Sequence, residues 1–402
     1  MLGRDFRRLW TASAVSNVGD GVTLIAGPLL VASLTAEPAA VAGAAFVQQL
    51  PWLLAPLSGV WVDRLDRRRL ALVVNLCRAG LLFLLAGAVL TGTVTIPLVY
   101  AVFLLLGVGE TLADTAYQAL VPAVVADADL ERANARLMAT FVVGNQLAAK
   151  PLGAYLFVTG AAVPFGFDAV TFVVAAGLLA LVRTAPAPHR SGGAGSLRAD
   201  LADGLRALWS RPPLRLLALC LAAMNVLFCA AFAAFVIYAA QRLGLPPVGY
   251  GVLLAVWAAG GLLGTVVAAR LRDRFGPATL LRAGLLIEVT TEAVLAVTRI
   301  PWVAGAVLFV FGVHTTVWGV ITLSIRQRLV PDELRGRVGA TFATLDLGGA
   351  ALGTLAGGFL ASATSLTVPF WVAAAGMALV AGLAWRRFTD RTLTAGVPAA
   401  AP

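Results

Sequence analysis

Long apolar stretches alternate with short polar connections along the whole chain. Each stretch is close to the roughly 20 residues that a bilayer-spanning helix needs, and none shows the polar residue at every second position that marks a strand of a membrane β-barrel. Numbered as spans 1 to 12, the stretches are 9–33, 39–61, 70–92, 97–121, 138–160, 163–183, 214–240, 249–269, 279–299, 301–324, 338–362 and 366–385. The pattern therefore predicts an all-α membrane protein with twelve transmembrane helices.

The longest polar interruption divides these spans into six and six. It covers 184–213 and is rich in Pro, Gly, Ser and Arg. We predict an N-terminal six-helix bundle over 1–183, a cytoplasmic linker over 184–213, a C-terminal six-helix bundle over 214–390 and a disordered tail over 391–402. Leucines at helical spacing in 196–209 indicate an amphipathic helix, which either lies on the inner membrane face or serves as a linker without lipid contact.

Three short strings recur in the same order in the two halves. They are Asp63-Arg64 and Asp273-Arg274, Leu120-Val121-Pro122 and Leu329-Val330-Pro331, and Ala139-Thr140-Phe141 and Ala340-Thr341-Phe342. Such a repeat predicts two six-helix bundles related by a pseudo-twofold axis along the membrane normal. Bundles of this kind move about a binding site near the middle of the bilayer.

Composition and charge exclude other classes of protein. Hydrophobic residues make up 60% of the 402 residues and charged residues 12%, against about 25% charged residues in a soluble domain. The net charge of +10 would suggest nucleic acid in a soluble protein. Here, however, 26 arginines lie in segments on one side of the predicted membrane and only Arg242 and Arg299 on the other. By the positive-inside rule both termini are cytoplasmic, in a bacterial inner membrane, and no nucleic-acid partner is expected.

The segment between spans 2 and 3 carries the clearest motif. It reads GVWVDRLDRRR from Gly59 to Arg69 and resembles the loop signature of the major facilitator superfamily, although Asp66 stands where the family often has glycine. The resemblance implies a gating loop in which Asp63 pairs with a helix end or an arginine and steadies the outward-open state. The residues implied are Gly59, Asp63, Arg64, Arg67 and Arg68, with Asp273 and Arg274 in the second half.

Further strings resemble the macrolide-efflux and enterobactin-exporter-like branch of that superfamily. They are Phe6–Trp10, Ser16–Gly21, Gly109–Asp114, Leu120–Pro122, Glu131–Asn134 and Arg326–Pro331. The resemblance implies alternating access and proton-driven export of a drug, an antibiotic or a siderophore-like metabolite, and thus multidrug resistance. Span 5 departs from the pattern of the drug antiporters, since Ala149, Lys150 and Ala154 stand where glycine, proline and glycine are expected.

Ionisable residues inside spans are costly and mark functional sites. In the superfamily's fold, spans 1, 4, 7 and 10 line the cavity, so Asp20, Glu110 and Asp114 are the proton-coupling candidates. Glu110 and Asp114 are four residues apart and share a helix face, which suits a proton relay. Arg78 in span 3 is expected to form a structural ion pair, with Asp114 for example, or to extend to the interface.

Five further residues are cavity or substrate candidates. They are Asn17, Lys150, Asn225, His314 and Trp318. For Lys150, the only lysine, one hypothesis is a buried ion pair with Asp20 or Glu110, and the other is a lysine in a water-filled cavity without a coupling role. His314 is either a titrating group or a packing residue.

No phosphate-binding loop, zinc motif or nucleophile elbow is present, so we expect neither an enzyme nor a metal or cofactor. The expected partners are a small-molecule substrate, protons and the lipid bilayer, and the expected state is a monomer. Two alternatives stay open: a proton-linked importer of a small nutrient, and a membrane receptor that transports nothing. Charged residues that face lipid or are sealed inside one bundle would favour the receptor.

Overall fold

The computed structural model describes residues 2–54, 65–183 and 197–389. Within these ranges the protein is helical and contains no strand. In the described ranges, each predicted span coincides with one helix or with consecutive helical segments, which confirms the predicted fold class. Nine of the helices in the described ranges are long and apolar enough to cross a membrane by themselves.

The helices of the first half follow the predicted segments closely. They are Arg4–Leu34 (span 1), Pro38–Gln49 (span 2, continued by a 3-10 turn at Leu50–Leu54), Arg67–Leu90 (span 3), Ile96–Val124 (span 4), Leu130–Thr140 and Ala149–Thr159 (span 5) and Val163–Ala180 (span 6). A short 3-10 turn at Asp127–Asp129 precedes span 5, and the π-helical segment Phe141–Ala148 joins the two parts of that span.

The second half repeats this arrangement after a linker helix. Its helices are Leu197–Trp209 (linker), Pro212–Phe232 and Phe235–Gln241 (span 7), Pro247–Phe275 (span 8), Pro277–Val297 (span 9), Pro301–Leu329 (span 10), Asp332–Ala363 (span 11) and Val368–Trp385 (span 12). Several helices have proline at their first or second position, where its fixed φ suits the helix and its missing N–H costs nothing.

The described residues fall into two compact units. The first lies within 1–191 together with 239–255, and the second within 192–238 together with 256–402. In the first unit, span 6 packs against spans 1 and 3, and span 4 packs against span 3. In the second unit, span 7 packs against span 11 and span 9 against span 12.

The linker helix packs against protein in the second unit. It contacts span 11, where Arg337 Nη1 lies 3.2 Å from Asp203 Oδ2. Leu208 of the linker helix is fully buried in the hydrophobic core of this unit. At least its C-terminal part therefore uses its apolar face for protein packing.

Candidate functional site

Arg78 lies at the centre of a buried charge cluster in the first unit. Its guanidinium forms an ion pair with Asp20 of span 1 and lies 4.1 Å from the ring centroid of Phe172 in span 6. Arg78 is only 4% exposed, and it borders the same small cavity as Glu110 and Asp168. One cation thus serves several acids in a region where an uncompensated charge would be costly.

Asp168 of span 6 belongs to the same cluster. It is 1% exposed, and it accepts hydrogen bonds from Thr23 Oγ1 at 2.5 Å and from Thr171 Oγ1 at 3.0 Å. Gly19 lies so close that a Cβ there would collide with the carboxylate and with the Thr171 hydroxyl. Gly19, in the Ser16–Gly21 string, therefore leaves space for the buried carboxylate of Asp168 on another helix.

The acids line two cavities within the first unit. A small cavity of about 140 Å³ is lined by Asp20, Glu110, Arg78 and Asp168. A wider cavity of about 540 Å³ is lined by Asn17 and Asp114. Both cavities are therefore bordered by predicted site residues, but Glu110 and Asp114 border different ones.

Phe141 lines both cavities. It is the first residue of the π-helical segment Phe141–Ala148 in span 5. Segments of this type are rare and are frequent at functional sites. In the same segment, the Asn145 Nδ2 group donates a hydrogen bond to the backbone carbonyl of Asn17 at 2.9 Å, which ties span 5 to span 1.

Lys150 lies just beyond this π-helical segment, in the helix Ala149–Thr159. Its side chain is buried, with 7% exposure. The ion pair that the structure shows for Asp20 is with Arg78. A role for Lys150 in coupling stays a prediction.

The second unit has a cavity of about 620 Å³, which we call the second-unit cavity. Two predicted candidates, Asn225 and Trp318, line it together with Asp346 of span 11. The Asn225 Nδ2 group donates to the Asp346 carboxylate and, at 3.0 Å, to its backbone carbonyl. This contact joins span 7 to span 11 as the Asn17–Asn145 contact joins span 1 to span 5.

His314 lies behind this cavity rather than in its lining. Its Nε2 atom is 3.3 Å from Glu288 Oε1, and its ring meets Trp318 edge to face at 5.8 Å between centroids. Glu292, one turn from Glu288, is fully buried, and neither of its carboxylate oxygens has a hydrogen-bond partner among the described residues. Glu288 in span 9 follows Arg78 in span 3 by 210 residues, the same offset as between Asp63 and Asp273.

The predicted gating loop is only partly described. Gly59, Asp63 and Arg64 lie outside the described residues. Arg68 is at the start of span 3, and it donates to the carbonyls of Leu179, at 2.9 Å, and Ala180 at the end of span 6.

Two neighbours of Arg68 also make contacts at the ends of helices. Arg67 Nη1 donates a hydrogen bond to the backbone carbonyl of Ala119 in span 4, at 3.4 Å. Asp66, the departure from the family motif, is the N-cap residue of span 3 and accepts a hydrogen bond from the backbone N–H of Arg69 at 2.8 Å. An acid at this position also suits the positive end of the helix dipole.

Asp273 and Arg274 lie within the last turn of the span 8 helix and not in a loop. The helix continues to Phe275 because no helix-breaking residue occurs before Gly276, which has a φ of +75°. Asp273 Oδ1 forms an ion pair with Arg272 Nη2 at 2.9 Å, and Arg274 lies over the Phe275 ring at 5.4 Å.

Sequence reasoning gave too little weight to Asp168, Asp346 and Phe141. The two acids were visible as charges inside spans, but spans 6 and 11 were not expected to line a cavity. Phe141 has no ionisable or hydrogen-bonding side chain that would mark it as a site residue, although it belongs to the Ala-Thr-Phe string that recurs in both halves.

Paired helical halves, buried charges within the spans and internal cavities define a membrane transporter of the major facilitator type. The sequence profile of the transmembrane secretion effector family matches residues 3–395. The chain belongs to this family, which confirms the resemblance seen in the motifs.

Relatives and solved structures agree with this assignment. The multidrug efflux pump Tap of Mycolicibacterium fortuitum is 28% identical over 89% of this chain and 90% of its own length. The enterobactin exporter EntS of Escherichia coli O1:K1 is 27% identical over 89% and 86%.

In fold, the chain is similar to a bacterial homologue of the iron transporter ferroportin in its inward-facing state. The TM-score is 0.74 at 18% identity, with 97% of this chain and 100% of the other covered. It is also similar to the nucleoside transporter NupG, with a TM-score of 0.73 at 13% identity over 96% and 100%.

Proposed function

We propose that this transporter exports a small amphipathic or hydrophobic compound from the bacterial cytoplasm by alternating access, coupled to proton entry. The observation that carries the proposal is the cluster of Asp20, Glu110 and Asp168 around Arg78 beside a cavity. Several carboxylates and one cation in an apolar bundle can hold or release a proton without leaving a large net buried charge. The efflux relatives support the outward direction.

In this proposal, Glu110 and Asp114 carry the proton with Asp20. Glu110 lines the small cavity beside Arg78, and Asp114 lines the wider cavity of the same unit. When one acid is protonated, its attraction to Arg78 weakens. The guanidinium then interacts mainly with the acids that are still ionised. Both termini are cytoplasmic, and Asp63 with its arginine neighbours controls the inner side.

Inside-out membrane vesicles with an acidic interior test the proposal. The panel of compounds contains ethidium as a cation, a macrolide as a bulky lipophilic drug and a catecholate siderophore as an anion. We expect at least one compound to accumulate and a protonophore to abolish its accumulation. Glu110→Gln should lower accumulation at least tenfold, while Glu37→Gln, at an exposed helix end, should leave it unchanged.

Two results would contradict the proposal. Accumulation only in right-side-out vesicles, driven by an inward proton gradient, would identify an importer. If the folded protein moves no compound in either orientation, the result would favour a membrane receptor that transports nothing.

A further inference from the structure

The second-unit cavity has aromatic walls. Phe228 stacks on Phe311 with 4.9 Å between ring centroids, and Trp257 lies 5.3 Å from Phe228 and 5.8 Å from Phe311. Its volume of about 620 Å³ falls within the range of about 300–1,000 Å³ that is common for small-molecule sites. Phe228 is stacked between Phe311 and Phe232, the latter at 4.3 Å, whereas Trp257 is only partly buried and lines the cavity. Aromatic walls of this kind pack well against the rings of a ligand.

Acids outnumber bases in the lining of this cavity. Asp346 and Glu288 line it, and the basic residue in the lining is Arg326. In the described part of the chain neither acid forms an ion pair with Arg326, whose guanidinium lies over the Phe342 ring at 4.8 Å. Asn225 orients the Asp346 carboxylate by hydrogen bonds, but a neutral amide does not cancel its charge.

Two polar atoms of the lining residues lack a partner. Trp318 Nε1 and Glu288 Oε2 are both buried, and neither has a hydrogen-bond partner among the described residues. Trp318 is 4% exposed and Glu288 3%. Buried polar atoms are nearly always hydrogen-bonded, so each exception calls for an explanation. Because both atoms are shielded from the cavity, they belong to the packing behind its wall and do not contribute to ligand binding.

We propose that the second-unit cavity binds an amphipathic organic cation that carries aromatic rings. Asp346 supplies the counter-charge, while Phe228 and Trp257 of the lining pack against the aromatic rings of the cation. An anion would meet the Asp346 carboxylate, and a neutral compound would leave the charge of Asp346 uncompensated in an apolar setting. The inference rests on the proposed export function, because it names the substrate class, but binding can be measured without transport.

Tetraphenylphosphonium and tetraphenylborate provide a matched pair of probes, because they have the same shape and opposite charge. Equilibrium dialysis of the purified full-length protein in detergent micelles measures their binding, with protein-free micelles as the blank. We expect saturable binding of the cation and at least tenfold weaker binding of the anion. Equal affinities for the two ions would overturn the inference.

Substitutions locate the site. Asp346→Asn should weaken binding of the cation at least tenfold, and Glu37→Gln, at the exposed start of span 2, should leave it unchanged. If Asp346→Asn does not fold, Phe228→Leu tests the same cavity through its aromatic wall, with an expected loss of at least threefold. Unchanged binding in whichever of the two variants folds would overturn the inference.

The outcomes separate the two proposals. If vesicles show proton-driven export of some compound while tetraphenylphosphonium does not bind, the export function stands and the cation site fails. If tetraphenylphosphonium binds through Asp346 while no compound responds to the proton gradient, the cation site stands and proton-coupled export fails.

Discussion

Asp20 and Arg78 form an ion pair that joins span 1 to span 3 in the interior of the first unit. Both sequence positions stood out as charges within apolar segments, but their pairing is a tertiary contact across 58 residues of chain. The pair connects the candidate proton site to the packing of the bundle, so both its energetic and its functional consequences can be tested.

Removal of Arg78 should destabilise the protein strongly. Arg78→Leu leaves buried acids without their cation, and breaking a buried pair from one side typically costs about 3–5 kcal/mol. We expect a loss of this size in the free energy of unfolding, measured by denaturant titration in mixed micelles. The double variant Asp20→Asn with Arg78→Leu should lose less, because it also removes one of the acids.

An exposed pair is the control for this experiment. The Arg206 side chain is 78% exposed in its pair with Asp203, and such pairs contribute at most about 1 kcal/mol. If Arg78→Leu were no more destabilising than Arg206→Gln, the charge cluster would not have the energetic role that its burial implies.

Phe141 should limit the passage of protons between the two cavities of the first unit. Phe141 borders both cavities. Phe141→Ala should therefore open a connection between the wider cavity, lined by Asp114, and the small cavity, lined by Glu110. On the proposed coupling, we expect proton leak without substrate to rise several-fold, measured with a pH-sensitive dye inside proteoliposomes. Phe141→Trp fills the same space and should not raise the leak.

The control variant for Phe141 is Phe167→Ala, because Phe167 is exposed on span 6 and lines neither cavity of the first unit. A leak in Phe141→Ala no larger than in this control would mean that the ring does not separate the two cavities.

Gly357 should tolerate substitution much less well than Gly348. Both lie in span 11, but a Cβ at Gly357 would collide with the backbone of Ala230 in span 7, whereas a Cβ at Gly348 meets nothing within 4 Å. Small residues allow membrane helices to approach this closely. We expect Gly357→Ala to lower the free energy of unfolding by about 1–3 kcal/mol, the usual cost of overpacking.

Gly348→Ala is the matched control and should be neutral or slightly stabilising, since alanine favours helix over glycine. Thermal unfolding of the two variants side by side measures the difference in stability between them. Equal melting temperatures would show that spans 7 and 11 are not in the close contact described.

Asp66 should contribute to stability as the N-cap of span 3. Asp66→Ala removes the acceptor for the Arg69 N–H and should cost about 0.5–2 kcal/mol, whereas Asp66→Ser retains a capping oxygen. Denaturant titration should therefore rank alanine below both serine and wild type. If serine were as damaging as alanine, the role of Asp66 would lie in its charge and not in capping.

Helix positions could be predicted from the sequence because hydropathy is a local property. Lipid offers no partner for backbone polar groups, so an apolar stretch of sufficient length must form its hydrogen bonds within a helix. Spans 9 and 10, separated only by Thr298–Ile300, were resolved correctly because Pro301 starts a new helix. The same reasoning could not foresee the π-helical segment in span 5, because hydropathy does not distinguish one helical hydrogen-bonding pattern from another.

The candidate site was predictable as a set of residues but not as an arrangement. An acid within an apolar segment is visible in the sequence as a charge among hydrophobic residues, so Asp20, Glu110 and Asp114 could be identified from the sequence alone. Which cavity each acid lines depends on helix rotation and packing, and these put Glu110 beside Arg78 and Asp114 in the wider cavity.

The class of protein, the number of spans and the charges inside them could be predicted from the sequence, because the hydropathy of a span depends on its own residues. The partners of those charges follow from the packing of the helices: Arg78 for Asp20, Thr23 and Thr171 for Asp168, and Asn225 for Asp346. A buried charge is stabilised by groups that other helices bring to it, and no local pattern in the sequence identifies those groups.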